Sequence, residues 1–458
     1  MDTTVGALVL AAGKGTRMYS DDPKVLRTLL GEPMLGYVLD GLFPVFGERV
    51  HVVVGFGAEK VRMAYPACEG RFILQPEQLG TGHALQCAWD EVKNAGYEYL
   101  LVMNGDVPLA SGKDLAGFVS QAIGDRADLA FLTIDLPDAG AYGRIVRDAS
   151  GMAYIVEAKD HDERIHGPVT GEINAGIYLV RVESVDKVLF KLTNSNRSGE
   201  FYITDLAELV GRQGGRVVAV SRGRDENLLG INNPRELVDA EESLRAKIVE
   251  SLLDRGVVIR QAASVRISPK AEISPGAEIC GPCDITGESV IGPGVIVEPH
   301  CLIKDSVVAA GARIHAFSHL EQAVVGLKCS VGPYGRLRPG AVMEEGARIG
   351  NFVEMKKAVL GPGAKANHLT YLGDAEVGAG ANVGAGTITC NYDGRNKFKT
   401  TIGRGAFIGS NTALVAPVTV GDEALVAAGS VVTEDVPDGA LAIARGRQVV
   451  KPRRKNPA

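Results

Sequence analysis

The chain has 458 residues, too many for a single hydrophobic core, so two or three domains are expected. Its 45% apolar content suits an independently folding globular protein, and a formal net charge of −6 argues against nucleic acid as a partner. No run approaches a membrane span in length, Val5 to Leu10 is too short and lacks the basic leader of a signal segment, and seven cysteines, an odd number, suit a reducing compartment; the expected location is the cytoplasm.

Val5 to Leu10 reads as a buried strand running into Ala11-Ala12-Gly13-Lys14-Gly15-Thr16-Arg17-Met18. A Gly-rich turn after a first strand lets backbone N–H groups close on phosphate oxygens where a Cβ would obstruct them. The turn lacks the third Gly of the dinucleotide fingerprint and the Gly-Lys-Ser/Thr ending of a P-loop. Further strands are expected at Val50 to Val54, Arg71 to Leu74, Tyr99 to Met103 and Leu129 to Ile134, with helices between several of them. That alternation predicts an α/β fold with a mostly parallel sheet, in which ligands bind at the carboxyl ends of the strands. Asn104-Gly105-Asp106-Val107-Pro108 follows the Tyr99 strand, and a carboxylate at a strand end facing phosphates is what Mg²⁺ requires.

Asn233-Pro234-Arg235-Glu236 reads as a helix start, with Asn at the cap, Pro at the first helical position and Glu placed to reach back. Leu237, Ala240, Leu244, Ile248 and Leu252 form one apolar stripe, and Gly256 ends it. A helix joining two unlike sequence textures predicts an arm between domains, so the expected boundaries are 1–233, 234–256 and 257–458.

From Ile267 to about Val436 one aliphatic residue returns every six positions, as in Ile267, Ile273, Ile279, Ile285, Ile291, Val297 and Ile303. After small phase shifts the rhythm resumes at Val325, Val331, Leu337, Met343 and Ile349, and later at Ile402, Ile408, Leu414, Val420 and Val426. Small residues such as Ala277, Ala341, Ala347 and Thr412 fall four places after an anchor, and Pro and Gly cluster between. A period of six fits neither an amphipathic helix nor simple alternation; it predicts a solenoid of short strands and bends. Cys280 and Cys283 spell C-G-P-C, which in isolation suggests a redox pair. Cys283, Cys301 and Cys329, however, all occupy the small inward position, which predicts packing instead. The period is disturbed around Asn351 to Tyr371 and broken between Thr387 and Thr400, where Glu354-Met355-Lys356-Lys357, His368-Leu369-Thr370-Tyr371 and Asn391-Tyr392-Asp393-Gly394 stand. Polar side chains at the points where a packing rule lapses predict a site. The basic tail from Lys451 to Ala458 reads as a solvated end.

Leu10, Gly13, Gly15, Thr16, Arg17 and Met18, followed by Pro23-Lys24, resemble the sugar-nucleotidyltransferase signature. The resemblance implies that Leu10, Ala11, Ala12, Gly13, Asn104 and Asp106 bind UTP, with Arg17 and Lys24 neutralising triphosphate charge. Gln75 and the Gly80-Thr81 backbone would read a uracil edge, Gly143, Glu157 and Asn174 would contact the sugar, and Asn232 would join Asp106 at Mg²⁺. The six-residue repeat resembles the hexapeptide-repeat acyltransferases, whose chain winds as a left-handed parallel β-helix. With Arg338, its polar strings resemble the acetyltransferase half of the bifunctional enzymes that make UDP-N-acetylglucosamine, a precursor of peptidoglycan and lipopolysaccharide. That family implies His368 as general base with Glu354 as its supporting carboxylate, and Arg338, Lys356, Tyr371 and Asn382 as ligands of glucosamine-1-phosphate. Asn391, Tyr392, Ser410, Ala428 and Arg445 would line the acetyl-CoA site, and the assembly would be a homotrimer. A hexose-1-phosphate nucleotidyltransferase with a regulatory β-helix and a nucleotide-sensing scaffold are the alternatives.

Overall fold

The computed structural model describes residues 4–452, so all but the first two residues of the basic tail lie outside the described residues. The chain divides into two compact units between Glu242 and Ser243. The division falls inside the helix Pro234–Asp254 rather than at its ends. The reason is local: Leu30 N–H donates to Glu241 in the first unit (2.8 Å), while Val249 and Leu252 belong to the core of the second. The cap is built as its residues dictate, with Asn233 Oδ1 accepting from the N–H of Arg235 and of Glu236 (both 3.0 Å) and the Glu236 carboxylate accepting from Asn232 N–H (2.6 Å).

In the first unit, β1 (Val5–Ala11) is buried along its whole length. Val5, Ala7, Val9 and Ala11 face one core, and Leu8 and Leu10 face the other, so both sides of the sheet are covered. This is why the strand reads as a continuous apolar run. The remaining strands of the main sheet are β2 (Val50–Val54), β3 (Phe72–Leu74), β4 (Tyr99–Asn104), β5 (Leu129–Asp135), β6 (Arg144–Arg147), β7 (Ala153–Val156), β8 (Glu172–Arg181) and β9 (Val217–Ser221). The main sheet runs β9-β5-β8-β4-β1-β2-β3, with β6 paired to β8 and to β7. Its pairings are parallel except around β8, which runs antiparallel to both β4 and β5, and in the β6–β7 hairpin. From residues 172–181 the sequence singles out only Asn174; the strand they form carries it into the sheet.

The second unit is a parallel β-helix. Among the described residues its strands form three sheets of eleven, ten and nine, each strand pairing with the third one on until the last rung, where Leu425–Val426 pairs with Leu441–Ala442, the second one on. Ile267, Ile285, Ile303, Leu320, Leu337, Met355 and Leu372 stack in register as one buried file. Partners lie 18 residues apart from Ile267 to Ile303, then 17 from Ile303 to Leu320. Three hexads therefore make one coil, and a coil shortened by one residue is the source of each small phase shift. Between Ile388 and Ala413 the step is 25, because the segment between Cys390 and Thr400 loops out of the coil. Cys283, Cys301 and Cys329 are buried in the aliphatic core, and burial pushes the Cys301 thiol up to about 11, against thiolate chemistry.

One corner of the coil carries a feature the hexad pattern does not announce. His300, Phe317, Tyr334 and Phe352 stack ring on ring at 4.7, 4.9 and 5.1 Å, all with positive φ, and Leu369 takes the next place beside His368. Among the described residues no helix is long and apolar enough to cross a membrane.

If the file of inward aliphatics forms one continuous core, Ile303→Ala should cost about 2–5 kcal/mol in denaturant unfolding of the second unit. A cost under about 1 kcal/mol would place that side chain outside a close-packed interior.

Candidate active sites

Four residues from separate parts of the sequence meet at the carboxyl end of the first unit's sheet. Lys24 Nζ donates to the Asp106 carboxylate and to Asn232 Oδ1 (3.0 Å), and Arg17 Nη2 donates to the same amide oxygen (3.1 Å). Lys24 opens the short turn after the Gly-rich loop, Asp106 lies two residues beyond β4, and Asn232 immediately precedes the helix cap. Asn232 is oriented from behind, since its Nδ2 donates to Gly230 O (3.0 Å), leaving Oδ1 turned to the cations. The Tyr142 hydroxyl donates to the same Gly230 carbonyl (3.2 Å), a supporting role that the sequence reading did not assign. Leu10 O accepts from Gly105 N–H (2.9 Å), tying the first strand to the Asp106 turn, and a Cβ on Gly13 would meet only open space.

The Asp106 carboxylate and the Asn232 amide oxygen are hard oxygen donors converging on one cationic nitrogen. Among the described residues no cluster of three or more His, Cys, Asp or Glu could hold a metal ion. Such a pair fits a divalent cation that keeps waters and substrate phosphates as most of its ligands, rather than an all-protein cage.

Gln75, 3% exposed, follows β3, and its Nε2 donates to Gly80 O (3.0 Å). Gly80 has φ of 111°, and a Cβ there would stand 2.5 Å from Phe201 O, so the position demands glycine. Thr81 Oγ1 accepts from Ile203 N–H (3.1 Å), which binds this loop to the 201–203 segment. Gly143, Glu157 and Asn174 also come together: Asn174 N–H donates to Gly143 O (3.0 Å), and a Cβ on Gly143 would be 3.8 Å from Glu157 Oε1. Asn174 Nδ2 donates to Tyr178 Oη (2.6 Å), so that amide is held from the protein side. Burial raises the Glu157 carboxyl above the usual range, opposed by the Thr204 hydroxyl that donates to it (3.1 Å). Asp205 beside it is raised to about 6 by burial and by Glu157. Thr204 and Asp205 carry no signal in the sequence that separates them from an ordinary helix start.

In the second unit, strand Glu354–Lys356 lies between Arg336–Leu337 and Tyr371–Gly373. Arg338 Nη1 donates to Glu354 Oε1 (2.8 Å). Lys397 above all, with Arg338 and Lys357, lowers the ammonium pKa of Lys356, which marks a cationic patch suited to an anion. Lys397 belongs to the looped-out segment and was not expected there. Tyr371 lies over Gly373, where a Cβ would collide with its hydroxyl.

His368 ends strand Lys365–His368 at an exposed corner, opposite Asn351 and outside the aliphatic core. Within the chain the expected Glu354–His368 pair is not formed. Glu354 belongs to a different sheet of the coil from His368, and its carboxylate is bonded to Arg338. Asn382 lies in register with Lys365, one coil on. Asn391 is buried, and its Nδ2 donates to Asp374 Oδ2 (2.5 Å), so it anchors the loop, whereas Tyr392 is 59% exposed. Ser410, Ala428 and Arg445 form one linked file, with Gly429 N–H donating to Ser410 O (2.8 Å) and Arg445 Nη1 to Ala428 O (2.6 Å).

Residues 7–146 match the model of the MobA-like NTP transferase domain, 261–368 that of the GMPPB C-terminal domain, and 399–434 that of the hexapeptide repeat of succinyl-transferase. The chain is 58% identical over 456 residues to the bifunctional protein GlmU of Nitratidesulfovibrio vulgaris (strain DSM 19637 / Miyazaki F), covering 100% of both. It is 56% identical to the GlmU of Oleidesulfovibrio alaskensis and 46% identical to that of Lawsonia intracellularis, in each case over 97% of both chains.

Asp205 gives a pH signature. Its carboxyl is raised from an ordinary 3.8 to about 6, so the folded state holds the proton more tightly than the unfolded one. Its stabilising contribution is full below about pH 4 and lost as pH rises through about 6. Asp205→Asn should therefore raise the melting temperature at pH 7.5 and flatten its dependence between pH 4 and 6; calorimetry showing equal slopes would contradict this burial.

Proposed function

Because the chain belongs to the bifunctional GlmU family it carries both a nucleotidyltransferase and an acetyltransferase activity, and we propose that each is performed by the constellation described in its own unit. The protein acetylates glucosamine-1-phosphate with acetyl-CoA, then transfers UMP from UTP to N-acetylglucosamine-1-phosphate and releases pyrophosphate. A purely regulatory β-helix or a sensing scaffold does not describe such a chain.

In the acetyl-transfer step, exposed His368 takes the proton from the substrate amine as it attacks the thioester carbonyl; the C–S bond then breaks and coenzyme A leaves as the thiol, taking up that proton. Arg338 and Lys356 hold the sugar phosphate; the mutual repulsion around Lys356 supports this, because an anion there relieves it. Glu354 acts by orienting Arg338. Tyr371 and Asn382 position the sugar, and Tyr392 and the exposed file of Ser410, Ala428 and Arg445 lie toward the coenzyme, with Asn391 holding the loop beneath. His368 and Tyr392 stand at open positions, and a second β-helix of a homotrimer would supply the covering surface that excludes water.

In the nucleotidyl-transfer step, the product's phosphate attacks the α-phosphorus of UTP. Little covalent chemistry is asked of the protein, so positioning and charge neutralisation dominate. Arg17 and Lys24 meet the triphosphate, the Leu10–Gly13 turn admits it where a side chain would block, and Gln75 with Gly80-Thr81 meets the base. Gly143, Glu157 and Asn174 frame the sugar. Asp106 and Asn232 would hold Mg²⁺, which neutralises charge developing on the leaving pyrophosphate. A cytoplasmic location fits the cytosolic nature of these substrates.

The observations that support the division are the convergence of Lys24, Asp106 and Asn232 in one unit and, in the other, the cationic patch of Arg338, Lys356 and Lys397 together with His368 exposed at a corner outside the core. His368→Ala should lower acetyl-CoA-dependent thiol release by about 10²–10⁴-fold and leave pyrophosphate release intact. Asp106→Ala should do the reverse. Loss of both reactions in either folded variant would refute the division.

A further inference from the structure

We infer that His83 is a positioning residue that fixes which end of the Gln75 amide faces the nucleobase, and thereby selects a pyrimidine bearing a proton on ring nitrogen 3. The inference rests on Gln75 as the group that meets the base. Gln75 is almost wholly buried, and its amide nitrogen carries two protons. Gly80 O, at 3.0 Å, is purely an acceptor, so it demands the NH₂ end of the amide and takes one proton. His83 Nδ1 lies 3.1 Å from the same nitrogen. With the imidazole proton on Nε2, the Nδ1 lone pair accepts the second amide proton and Nε2–H faces Cys87 Sγ at 3.7 Å. The other tautomer turns Nδ1–H onto Glu77 O at 3.0 Å and strips a buried N–H of its acceptor, the arrangement that interiors avoid; the first leaves the Nδ1 lone pair facing that carbonyl, a repulsion at an exposed residue whose oxygen water can satisfy.

His83 rides on the first turn of helix Thr81–Asn94, its ring 6.3 Å from that of Phe201. Gly82 N–H donates to Phe201 O (2.7 Å), so turn and ring are held to the same neighbour. With both amide protons engaged, Gln75 can offer a ligand only Oε1, an acceptor. Uracil presents N3–H to an acceptor, whereas cytosine presents a lone pair and meets repulsion. The discrimination is therefore set one residue behind the group that touches the base.

The test compares UTP and CTP as substrates of the full-length enzyme, with acetyl transfer and melting temperature as folding controls. His83→Ala should lower the UTP-over-CTP ratio of kcat/KM about tenfold or more, chiefly through KM for UTP, with kcat at saturation within about threefold. His83→Asn, whose side-chain oxygen can accept the same amide proton, should restore most of the ratio. An unchanged ratio in His83→Ala, or ¹⁵N shifts of the unsubstituted protein placing the His83 proton on Nδ1, would overturn the inference even if a variant folds poorly. Gln75→Ala separates the two levels. If it collapses the ratio while His83→Ala does not, only the role of His83 fails; if it too leaves the ratio unchanged, the base-reading role of Gln75 fails with it.

Discussion

The second unit depends on one constraint: every coil must return onto the one before it with its backbone hydrogen bonds in register. A short strand has unpaired N–H and C=O groups along both edges, and only a neighbouring rung satisfies them. The same return buries the inward aliphatic of one coil on that of the next, as Ile285 lies on Ile267 and beneath Ile303. Hydrogen bonding and apolar burial thus demand the same repeat, which is why the period is so plain in the sequence. Neither term suffices for a single hexad.

A scaffold of that kind tolerates insertion at its corners and nowhere else. The loop after Cys390 leaves the ladder intact because Ile388 still pairs with Ala413 across the interruption. The corner bearing His368 is likewise free of the core, and Thr370 Oγ1 fixes the local backbone by donating to His368 O (2.8 Å). Chemistry therefore collects where the coil does not need apolar residues, and the interior remains a uniform support. The aromatic file from His300 to Phe352 uses the same freedom, one ring per coil on the outside of a bend.

The first unit solves a different problem, that of gathering charge. Asp106, Lys24 and Asn232 come from a strand end, a short turn and a helix approach, and two of them are braced by backbone: Asp106 O accepts from Ile231 N–H (2.9 Å), while Gly230 O holds the Asn232 amide. A cationic side chain bridging two oxygens is a stable resting arrangement that a more highly charged ligand set can displace. Glu157 and Asp205 show the reverse policy: burial raises both carboxyls, and Glu157 raises Asp205 further.

Sequence alone was enough for whatever repeats locally or is set by neighbours in the chain. The buried run of Val5 to Leu10, the hexad files, the Asn233 cap and the inward cysteines all follow from side-chain size and spacing, and all appear in the fold. Strand Glu172–Arg181 was not legible as a strand, because its apolar residues are interrupted by Asn174 and Gly176 and only the flanking β4 and β5 make it extended. Nor could spacing tell that Glu354 bonds Arg338 instead of His368, that Lys397 returns to Lys356, or that His83 stands against Gln75. Those are contacts between different rungs, loops or elements, and their partners are chosen by register and by which face a residue occupies. A sequence fixes composition and period, but which side chains stand opposite one another is settled only when the backbone ladders close.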